Sequence, residues 1–458
     1  MVLGVVLAAA AGYVVLVAAR VGRITHQSPL SVIHDIIRGG AGSSIDDRVS
    51  AGKPVTLALY GYGGAGHDGA YLTDSILLVM IHPRVNDAPL VTEVSVPRDW
   101  YVPIDLGNGT VVHDRINTAY ADAAEEVYPN RGAQYKGEFG PAHLAGDTLD
   151  RLLGIHIDHF VAMDFHAFQY AVDAVGGVDI TVARSFTDSH YPRGECNGGS
   201  GDCAVETVHF TAGPQHMSGA RALIFSRSRE GDNGEGTDFA RSRRQQLVLN
   251  AVKLKVVSVG GIAALPAVLD ALGGHVVTDL TLGDAESLYG LIKDVPTSAV
   301  THVSIDDQNF LYACGYPVNC SAYWLYTRDP SYLSIQHFMS KLPIDPALLA
   351  ERQTITVVDA SGAGGGASAR WAGLLSQLGF SVRDAGAAPN VAATEVLRTA
   401  ASGSGAATAD WLSGYFGARL VTPPATATAG PAPAGITLML GADEEHAFTT
   451  SVVAGASP

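Results

Sequence analysis

The chain has 458 residues, 47% of them hydrophobic, and a formal net charge of −16. Such a length suffices for two domains with real cores, and the apolar content excludes a disordered acidic protein. The acidic balance argues against a general nucleic-acid binder, because such proteins spread basic charge over a face or an arm.

The N-terminus is apolar and uncharged from residue 2 to residue 19. This length is within the range of a membrane-spanning helix, which we expect over residues 1–22, followed by a polar linker over residues 23–50. A cleaved signal peptide and a buried helix are the alternatives. Arg20 and Arg23 follow the span and nothing basic precedes it, so the positive-inside rule alone would place the rest of the chain in the cytoplasm.

The cysteines favour the opposite compartment. They form two close pairs, Cys196 with Cys203 and Cys314 with Cys320. Each pair brackets a turn that contains Gly or Pro, which suits a local disulfide. Zinc is the alternative, but both spacings are wider than the usual zinc knuckle. We therefore expect two disulfides and an oxidising, extracytoplasmic location.

From about residue 55 the chain alternates strand-like and helix-like segments. "PVTLALYGY", "SILLVMIHP" and "LVTEVSVP" are typical of strands, and "AHLAGDTLDRLLGI" has apolar residues at helical spacing. "HFVAMDF" and "HAFQYAVDAVGG" then indicate a strand and a helix. This alternation predicts an α/β fold for residues 51–345, an α-β-α sandwich around a central mixed sheet.

A second small α/β domain is predicted over residues 350–445, with a tail over residues 446–458. The segment "TITVVDASGAGGGASARWAGLLSQLGFSV" indicates a strand, a Gly-rich turn, a helix and a second strand. "TPPATATAGPAPAG" is typical of a loop or linker, and the strand-like "ITLMLGAD" follows it.

Three short motifs in the first domain carry candidate site residues. Asp74 begins a predicted buried strand, where it either caps a turn or binds a hard cation such as Mg²⁺. Arg98 and Asp99 follow a strand end, where open α/β sheets bind ligands, although a surface ion pair is the alternative. Arg115 and Asn117 lie at a predicted helix start and are weak candidates by themselves.

The strongest local signal is an arginine-rich segment, "FSRSREGDNGEGTDFARSRRQQLVL", residues 225–249. "LIFSRSR" is typical of a strand, and Thr237 is a candidate N-cap for the helix that follows. Strand and helix would then aim their polar side chains at one volume, and these are Arg227, Arg229, Arg241, Arg244 and Gln245. The segment contains no Lys, unlike an ordinary solvated basic face. Planar guanidinium donors suit phosphate oxygens, so the segment predicts a phosphate or pyrophosphate site.

These motifs, in this order, resemble the LytR-CpsA-Psr family of cell-wall enzymes over roughly residues 55–345. The resemblance is carried by "TDSILLVMIHP", "VSVPRDWYVPI", "DRINTAY", "FTAGPQHMSGARALIFSRSR" and "TDFARSRRQQLVL". Residues near 352 to 445 resemble the LytR C-terminal domain. The resemblance implies one N-terminal membrane helix with the domains outside the membrane, in agreement with the cysteines.

The resemblance also implies a reaction. Family members transfer a glycopolymer from a polyprenyl pyrophosphate carrier to peptidoglycan, forming a phosphodiester, and Mg²⁺ and pyrophosphate hydrolysis as a side activity are expected with it. By motif match Asp74 is a metal ligand, Asp99 orients an arginine or accepts the hydroxyl proton, and Asn117 and Gln245 bind substrate. The pyrophosphate contacts carried over are Arg98, Arg115, Arg227, Arg229, Arg241 and Arg244.

One position departs from the family pattern. Family members commonly carry a further acidic residue in the loop after the first strand, where this chain has Gly63. Asp68, with His67 beside it, is the nearest substitute, so we expect Asp68 to be the second metal ligand. The alternative is that Asp68 only closes a turn and that the metal relies on Asp74, water and pyrophosphate oxygens.

Two other functions remain open from the sequence. One is an envelope receptor that binds a phosphorylated polymer or polyprenyl phosphate lipid without turnover. The other is a transcriptional attenuator, which the membrane span, the cysteine pairs and the missing helix-turn-helix pattern all disfavour; we expect no nucleic-acid partner.

Overall fold

The computed structural model describes residues 43–67, 69–193, 204–258, 274–296, 299–313, 324–362, 366–399, 405–421 and 435–443. Residues 1–22, Asp68 and all four cysteines lie outside these ranges, so the membrane helix, the second metal ligand and the disulfides stay predictions. Among the described residues, no helix has both the length and the apolar character needed to cross a membrane.

The chain divides into two compact units. The first comprises residues 1–91, 95–148 and 156–299, and the second comprises residues 92–94, 149–155 and 300–458. The described helices of the first unit are α1 (Ser44–Ser50), α2 (Thr118–Ala124), α3 (Gly140–Leu153), α4 (Phe165–Ala174), α5 (Gly219–Arg227), α6 (Asp238–Ser258) and α7 (Leu282–Ile292). Its strands are β1 (Val55–Tyr62), β2 (Thr73–Arg84), β3 (Asp87–Val96), β4 (Tyr101–Asp105), β5 (Val111–Arg115), β6 (His159–Asp164), β7 (Val178–Val182), β8 (Phe186–Pro192), β9 (Val205–Phe210), β10 (Gly213–Met217) and β11 (Val276–Thr278). Of these, α3 and β3 contribute residues to both units.

The sheet of the first unit is mixed, with the strand order β11-β6-β1-β2-β3. Strand β1 runs parallel to β6 and antiparallel to β2. At one edge Tyr62 lies opposite both Asp164, the end of β6, and Thr73, the start of β2. The ends of β1 and β6 therefore meet the start of β2, which carries Asp74. The fold is α/β with a central mixed sheet, as predicted; helices on both faces stay a prediction.

A cluster of buried aromatic rings forms the base under the arginine-rich segment. The ring of Phe210 lies 5.0 Å from that of Phe186 and 5.1 Å from that of Phe225, and each of the three residues is at most 1% exposed. Since Phe225 belongs to α5 and the other two to β8 and β9, this packing fixes the end of α5 against the strands.

The predicted strand "LIFSRSR" is wrong, because residues 219–227 form helix α5. Ser218 caps this helix by accepting a hydrogen bond from the backbone N–H of Arg221. Ala222, Phe225 and Ser226, spaced three and four residues apart, are buried together on one face. The apolar run over residues 223–225 is short enough to be taken for a strand. The buried face of the helix also includes the polar Ser226, so the helical spacing is not visible from the apolar residues alone.

The predicted linker also ends too late, because Ser44–Ser50 is a helix of the first unit. The side chain of Ser43 caps it, and Ile45 is fully buried. Arg48 forms an ion pair of 2.9 Å with Asp158. A helix of seven residues with one buried apolar side chain has too little periodicity to be read from the sequence.

The second unit has the predicted strand, helix and second strand, and residues 363–365 of the predicted Gly-rich turn lie outside the described residues. Its described strands are β12 (Val300–Ser304), β13 (Leu311–Ala313), β14 (Leu325–Thr327), β15 (Thr354–Asp359), β16 (Ser381–Ala387), β17 (Glu395–Arg398), β18 (Arg419–Val421) and β19 (Ile436–Leu440). Its helices are α8 (Leu333–Ser340), α9 (Pro346–Ala350), α10 (Ala367–Gln377) and α11 (Ala406–Phe416). The larger sheet has the order β16-β15-β19-β17-β18, with β15 parallel to both neighbours.

Candidate functional site

A cavity of about 500 Å³ in the first unit opens where β1, β2 and β6 meet α4, α5 and α6. Its apolar lining includes Leu59, Leu77, Met163, Phe165, Phe168, Val172, Leu223, Val248 and Val252. Its charged, imidazole and amide lining includes Asp74, Arg98, Asp164, Asp188, His190, Arg227, Arg229, Glu230, Arg241 and Gln245. Many apolar groups with a few converging polar ones are typical of a ligand pocket, and this one suits an apolar chain that carries an anionic group.

Asp74 lies among arginines at the start of β2. Its carboxylate forms an ion pair with Arg98. Burial favours the neutral acid, but the charges of Arg98, Arg227 and Arg229 outweigh burial and lower the pKa of Asp74. The carboxylate is therefore ionised at neutral pH.

Asp99 joins three guanidinium groups in the turn after β3. It lies 3.4 Å from Arg98 Nε, 3.5 Å from Arg115 Nη1 and 3.6 Å from Arg229 Nη2. Asp99 is only 6% exposed. A buried carboxylate with three cationic neighbours holds those side chains in fixed positions. Arg115 is thus connected to the site through Asp99, and it is absent from the described cavity lining.

Arg227 is the last residue of α5, and neighbours fix its guanidinium plane. Its Cζ lies 3.8 Å from the ring centroid of Phe165. Its terminal nitrogens lie 3.5 Å from the hydroxyl of Tyr191 and 3.4 Å from Nε2 of His67. None of these groups is a carboxylate, so they orient the positive charge of Arg227 without cancelling it.

Asp188 holds the loop that carries Arg229. Its Oδ2 accepts hydrogen bonds from the hydroxyl of Ser228 at 2.6 Å and from the backbone N–H groups of Arg229 and Glu230 at 3.1 and 3.2 Å. Burial acts against ionisation, but these donors lower the pKa of Asp188. Sequence reasoning missed Asp188, because its partner Ser228 is 40 residues away in the chain and the pair therefore forms no local motif.

Arg244 was predicted to contact pyrophosphate, but the structure places it elsewhere. It is 1% exposed and absent from the described cavity lining. Its guanidinium donates to the carbonyl oxygens of Phe225 (2.8 Å), Glu235 (2.8 Å) and Ser228. It also forms a 2.8 Å ion pair with the buried Glu235 carboxylate. Arg244 therefore fixes the loop between α5 and α6 from inside. Sequence reasoning missed Glu235, although an acid within an arginine-rich segment was a signal.

Arg241 and Gln245, by contrast, do line the cavity. The predicted N-cap of α6 is confirmed, because Thr237 Oγ1 accepts a hydrogen bond from the backbone of Ala240. Gln245 Oε1 accepts a hydrogen bond of 3.4 Å from Ser75.

Asn117 is not among the described residues that line the cavity, but its backbone supports two that are next to it: its N–H donates to the carbonyl oxygen of Arg98 at 3.3 Å, and its carbonyl oxygen accepts from the N–H of Thr73 at 3.4 Å. It is fully buried, and within the described part of the chain neither atom of its side-chain amide has a hydrogen-bond partner. Its predicted role in substrate binding finds no support in this position.

The surroundings of Asp74 suit a magnesium ion that is held, among the described residues, by the carboxylate of Asp74. Mg²⁺ commonly binds one or two carboxylates together with substrate phosphates and waters. Asp74 is ionised and faces the cavity in which the arginines favour phosphate. Gly63 cannot be replaced by an acid without rearrangement, because a Cβ there would lie 2.6 Å from Cγ of His67. His67 thus fills the space where family members commonly carry the second acid.

The chain is similar to known proteins in sequence. The sequence matches the profile of the LytR_cpsA_psr family over residues 28–332, and that of the LytR cell envelope-related transcriptional attenuator over residues 352–443. The polyisoprenyl-teichoic acid–peptidoglycan teichoic acid transferase TagU of Bacillus cereus (strain AH820) is 30% identical over 253 residues, which are 55% of this chain and 69% of the relative. TagU of Halalkalibacterium halodurans is 28% identical over 268 residues, which are 58% of this chain and 75% of the relative. The crystal structure of B. subtilis TagV covers 63% of this chain and 97% of its own, with 22% identity and a TM-score of 0.46.

Proposed function

The chain belongs to the LytR-CpsA-Psr family, and from that premise we propose that it transfers a glycopolymer from a polyprenyl pyrophosphate carrier to peptidoglycan in cell-wall assembly. The bond formed is a phosphodiester. The observation that carries the proposal is the convergence of Arg98, Arg227, Arg229 and Arg241 on one apolar cavity. The relatives named TagU transfer teichoic acid, which is one polymer of this class.

The two kinds of cavity lining suit the two parts of the carrier. The arginines bind pyrophosphate oxygens, for which planar guanidinium donors are well shaped. The apolar side chains bind the first part of the polyprenyl chain. Phe165 connects the two regions, because it lines the cavity and also packs against the guanidinium of Arg227. Lipid and pyrophosphate are thereby held in a fixed relation.

The chemistry is a displacement at phosphorus. A hydroxyl of peptidoglycan attacks the phosphorus that bears the polymer, the P–O bond to polyprenyl phosphate breaks, and the proton of the hydroxyl is released to water. Negative charge grows on the leaving phosphate, and arginines already held in place stabilise it without reorganisation. Asp99 holds the guanidinium groups of Arg98 and Arg229, and Asp188 holds the backbone of Arg229. The three cationic neighbours of Asp99 support the orienting role rather than proton transfer.

A magnesium ion held by Asp74 would neutralise part of the pyrophosphate charge.

The domain would lie outside the cytoplasm, anchored to the membrane by the N-terminal helix, where it would meet both the lipid carrier and peptidoglycan. Pyrophosphate hydrolysis is expected when no acceptor hydroxyl is present, because water then takes its place.

The function is tested with the full chain, a synthetic pyrophosphate-linked lipid bearing a short glycan, and peptidoglycan, with and without Mg²⁺. We expect release of polyprenyl phosphate and glycan bound to peptidoglycan through a phosphodiester, both dependent on Mg²⁺. Binding of the lipid with no release over long incubation would contradict the transferase and support a receptor for phosphorylated lipid.

Replacing Asp74 by asparagine should raise the Mg²⁺ concentration needed for half-maximal transfer by roughly tenfold or more, on the scale reported even for outer-shell changes at metal sites. The affinity for lipid in saturating Mg²⁺ should change little, because the arginines remain. A Mg²⁺ titration of activity measures this effect. Asp87→Asn is the matched control, since Asp87 is an exposed acid that pairs with Arg84. Superimposable titrations for Asp74→Asn and the parent chain would exclude Asp74 as a metal ligand.

A further inference from the structure

Three side chains of the types that bind metal ions lie close together at the same end of the sheet strands. Asp164, His166 and His275 each offer one ligand atom, and the three atoms lie within 4.8 Å of one another. The transfer reaction proposed above assigns no role to any of the three, although Asp164 also lines its cavity. They come from the end of β6, the first turn of α4 and the residue before β11.

The fold fixes this cluster through the pairing of two strands. Strands β6 and β11 are antiparallel, with Met163 opposite Val276. This register places His275 beside Asp164, and the backbone N–H of Asp164 donates to the carbonyl oxygen of His275 at 3.1 Å. His166 follows Asp164 by two residues at the start of α4. A residue distant in sequence is therefore held next to a local Asp-x-His pair by main-chain hydrogen bonds.

Asp164 can serve the helix and an ion at once. Its Oδ1 caps α4 by accepting a hydrogen bond of 2.8 Å from Ala167 N. Its Oδ2 lies 2.6 Å from Nδ1 of His275, on the side of the cluster. Gly64, with φ of +94°, passes this oxygen so closely that a Cβ would lie 3.1 Å away. A glycine at this position leaves Oδ2 the space that a ligand needs.

The cluster is also reachable from solvent. Asp164 itself is buried, but the side chain of His275 is 36% exposed. The rings of His166 and His275 lie 5.5 Å apart, and the ring of Tyr170 lies 6.1 and 5.8 Å from them. An ion can therefore enter beside the two imidazoles and reach the buried carboxylate.

We propose that Asp164, His166 and His275 form a site for Zn²⁺ or a similar imidazole-preferring divalent ion, separate from the magnesium expected at Asp74. Two imidazole nitrogens and one carboxylate oxygen form a recurring zinc donor set that leaves the fourth position open. Mg²⁺ prefers oxygen donors and is a poor fit. Tetrahedral ligation with bonds of about 2.0–2.1 Å places donor atoms roughly 3.3 Å apart. Oδ2 of Asp164 and Nδ1 of His275 are 2.6 Å apart, and all three ligand atoms lie within 4.8 Å of one another, so small side-chain rotations suffice.

The proposal is tested on the full chain after removal of bound metal with a chelator. Zn²⁺ is titrated in competition with a chromophoric chelator, and Co²⁺ is added as a spectroscopic replacement. The variants are His166→Ala and His275→Ala. His156→Ala is the control, because the side chain of His156 is 72% exposed and lies outside the cluster. Mg²⁺ is added in excess in a separate titration.

We expect one Zn²⁺ equivalent that excess Mg²⁺ does not displace. Each cluster variant should weaken its affinity at least as much as the roughly 10- to 100-fold cost of losing an outer-shell partner, and His156→Ala should not. Co²⁺ should show absorption typical of nitrogen and oxygen ligation, without the thiolate bands that the cysteines would give. Failure to bind Zn²⁺, or Zn²⁺ affinity that survives in both cluster variants, would overturn the proposal. Neither outcome bears on the transferase, since this test measures no turnover.

Discussion

Replacing Arg227 by alanine should lower the rate of glycopolymer transfer by about 100- to 1000-fold and change the midpoint of thermal unfolding little. The guanidinium is oriented by Phe165, Tyr191 and His67, none of which is a carboxylate. Its charge is therefore available to a phosphate that becomes more negative during the reaction. Single-turnover rates with the pyrophosphate-linked lipid measure the effect.

Two further variants help to interpret this result: one separates the charge of Arg227 from its planar shape, and the other is a control. Arg227→Lys keeps the positive charge but loses the planar group that packs on Phe165, so it should recover only part of the rate. Arg193→Ala is the matched control, since the side chain of Arg193 is 71% exposed and pairs with Glu206 at 4.0 Å. Near-normal turnover in Arg227→Ala would mean that the arginines of this segment are structural, and the proposed site would fail with it.

Much of this architecture was predictable from the sequence, because the decisive signals were local. Strands β1, β2 and β6 are short apolar runs, and the apolar spacing of α3 and α4 ends at glycines in both cases. The candidate arginines could likewise be named, since an acidic chain with arginines gathered around one loop indicates an anion site. Arg98, Arg227, Arg229 and Arg241 do line one cavity.

Sequence reasoning failed where a partner distant in the chain decides the outcome. The sequence of helix α5 resembled a strand because one residue of its buried face, Ser226, is polar. Its helical face can be recognised only from its packing on β8 and β9. Arg241 and Arg244 have similar local sequence, but Arg241 lines the cavity whereas Arg244 pairs with the buried Glu235. Asp188 carries no motif at all, yet it fixes the loop of Arg229. The division between arginines that bind and arginines that support is therefore a tertiary property.

Replacing Glu235 by alanine should destabilise the first unit by about 3–5 kcal/mol, because it leaves a buried positive charge without its partner. The side chains of Arg244 and Glu235 are only 1% and 4% exposed. Burial lowers the pKa of Arg244, and the charge of Glu235 opposes that shift. Chemical denaturation measures the free energy of unfolding. Glu206→Ala is the control, since its surface pair with Arg193 should contribute at most about 1 kcal/mol.

Removing both charges tests whether the stability of this loop depends on the ion pair. The double variant Glu235→Leu with Arg244→Met removes both buried charges of this pair and leaves only the more exposed Arg243 without Glu235, so it should be more stable than Glu235→Ala despite carrying two substitutions. It should not reach the parent chain, because the carbonyl oxygens of Phe225, Ser228 and Glu235 lose their guanidinium donor. If Glu235→Ala costs no more than Glu206→Ala, Arg244 does not depend on Glu235. Its buried position would then have to be stabilised by the three carbonyl groups alone.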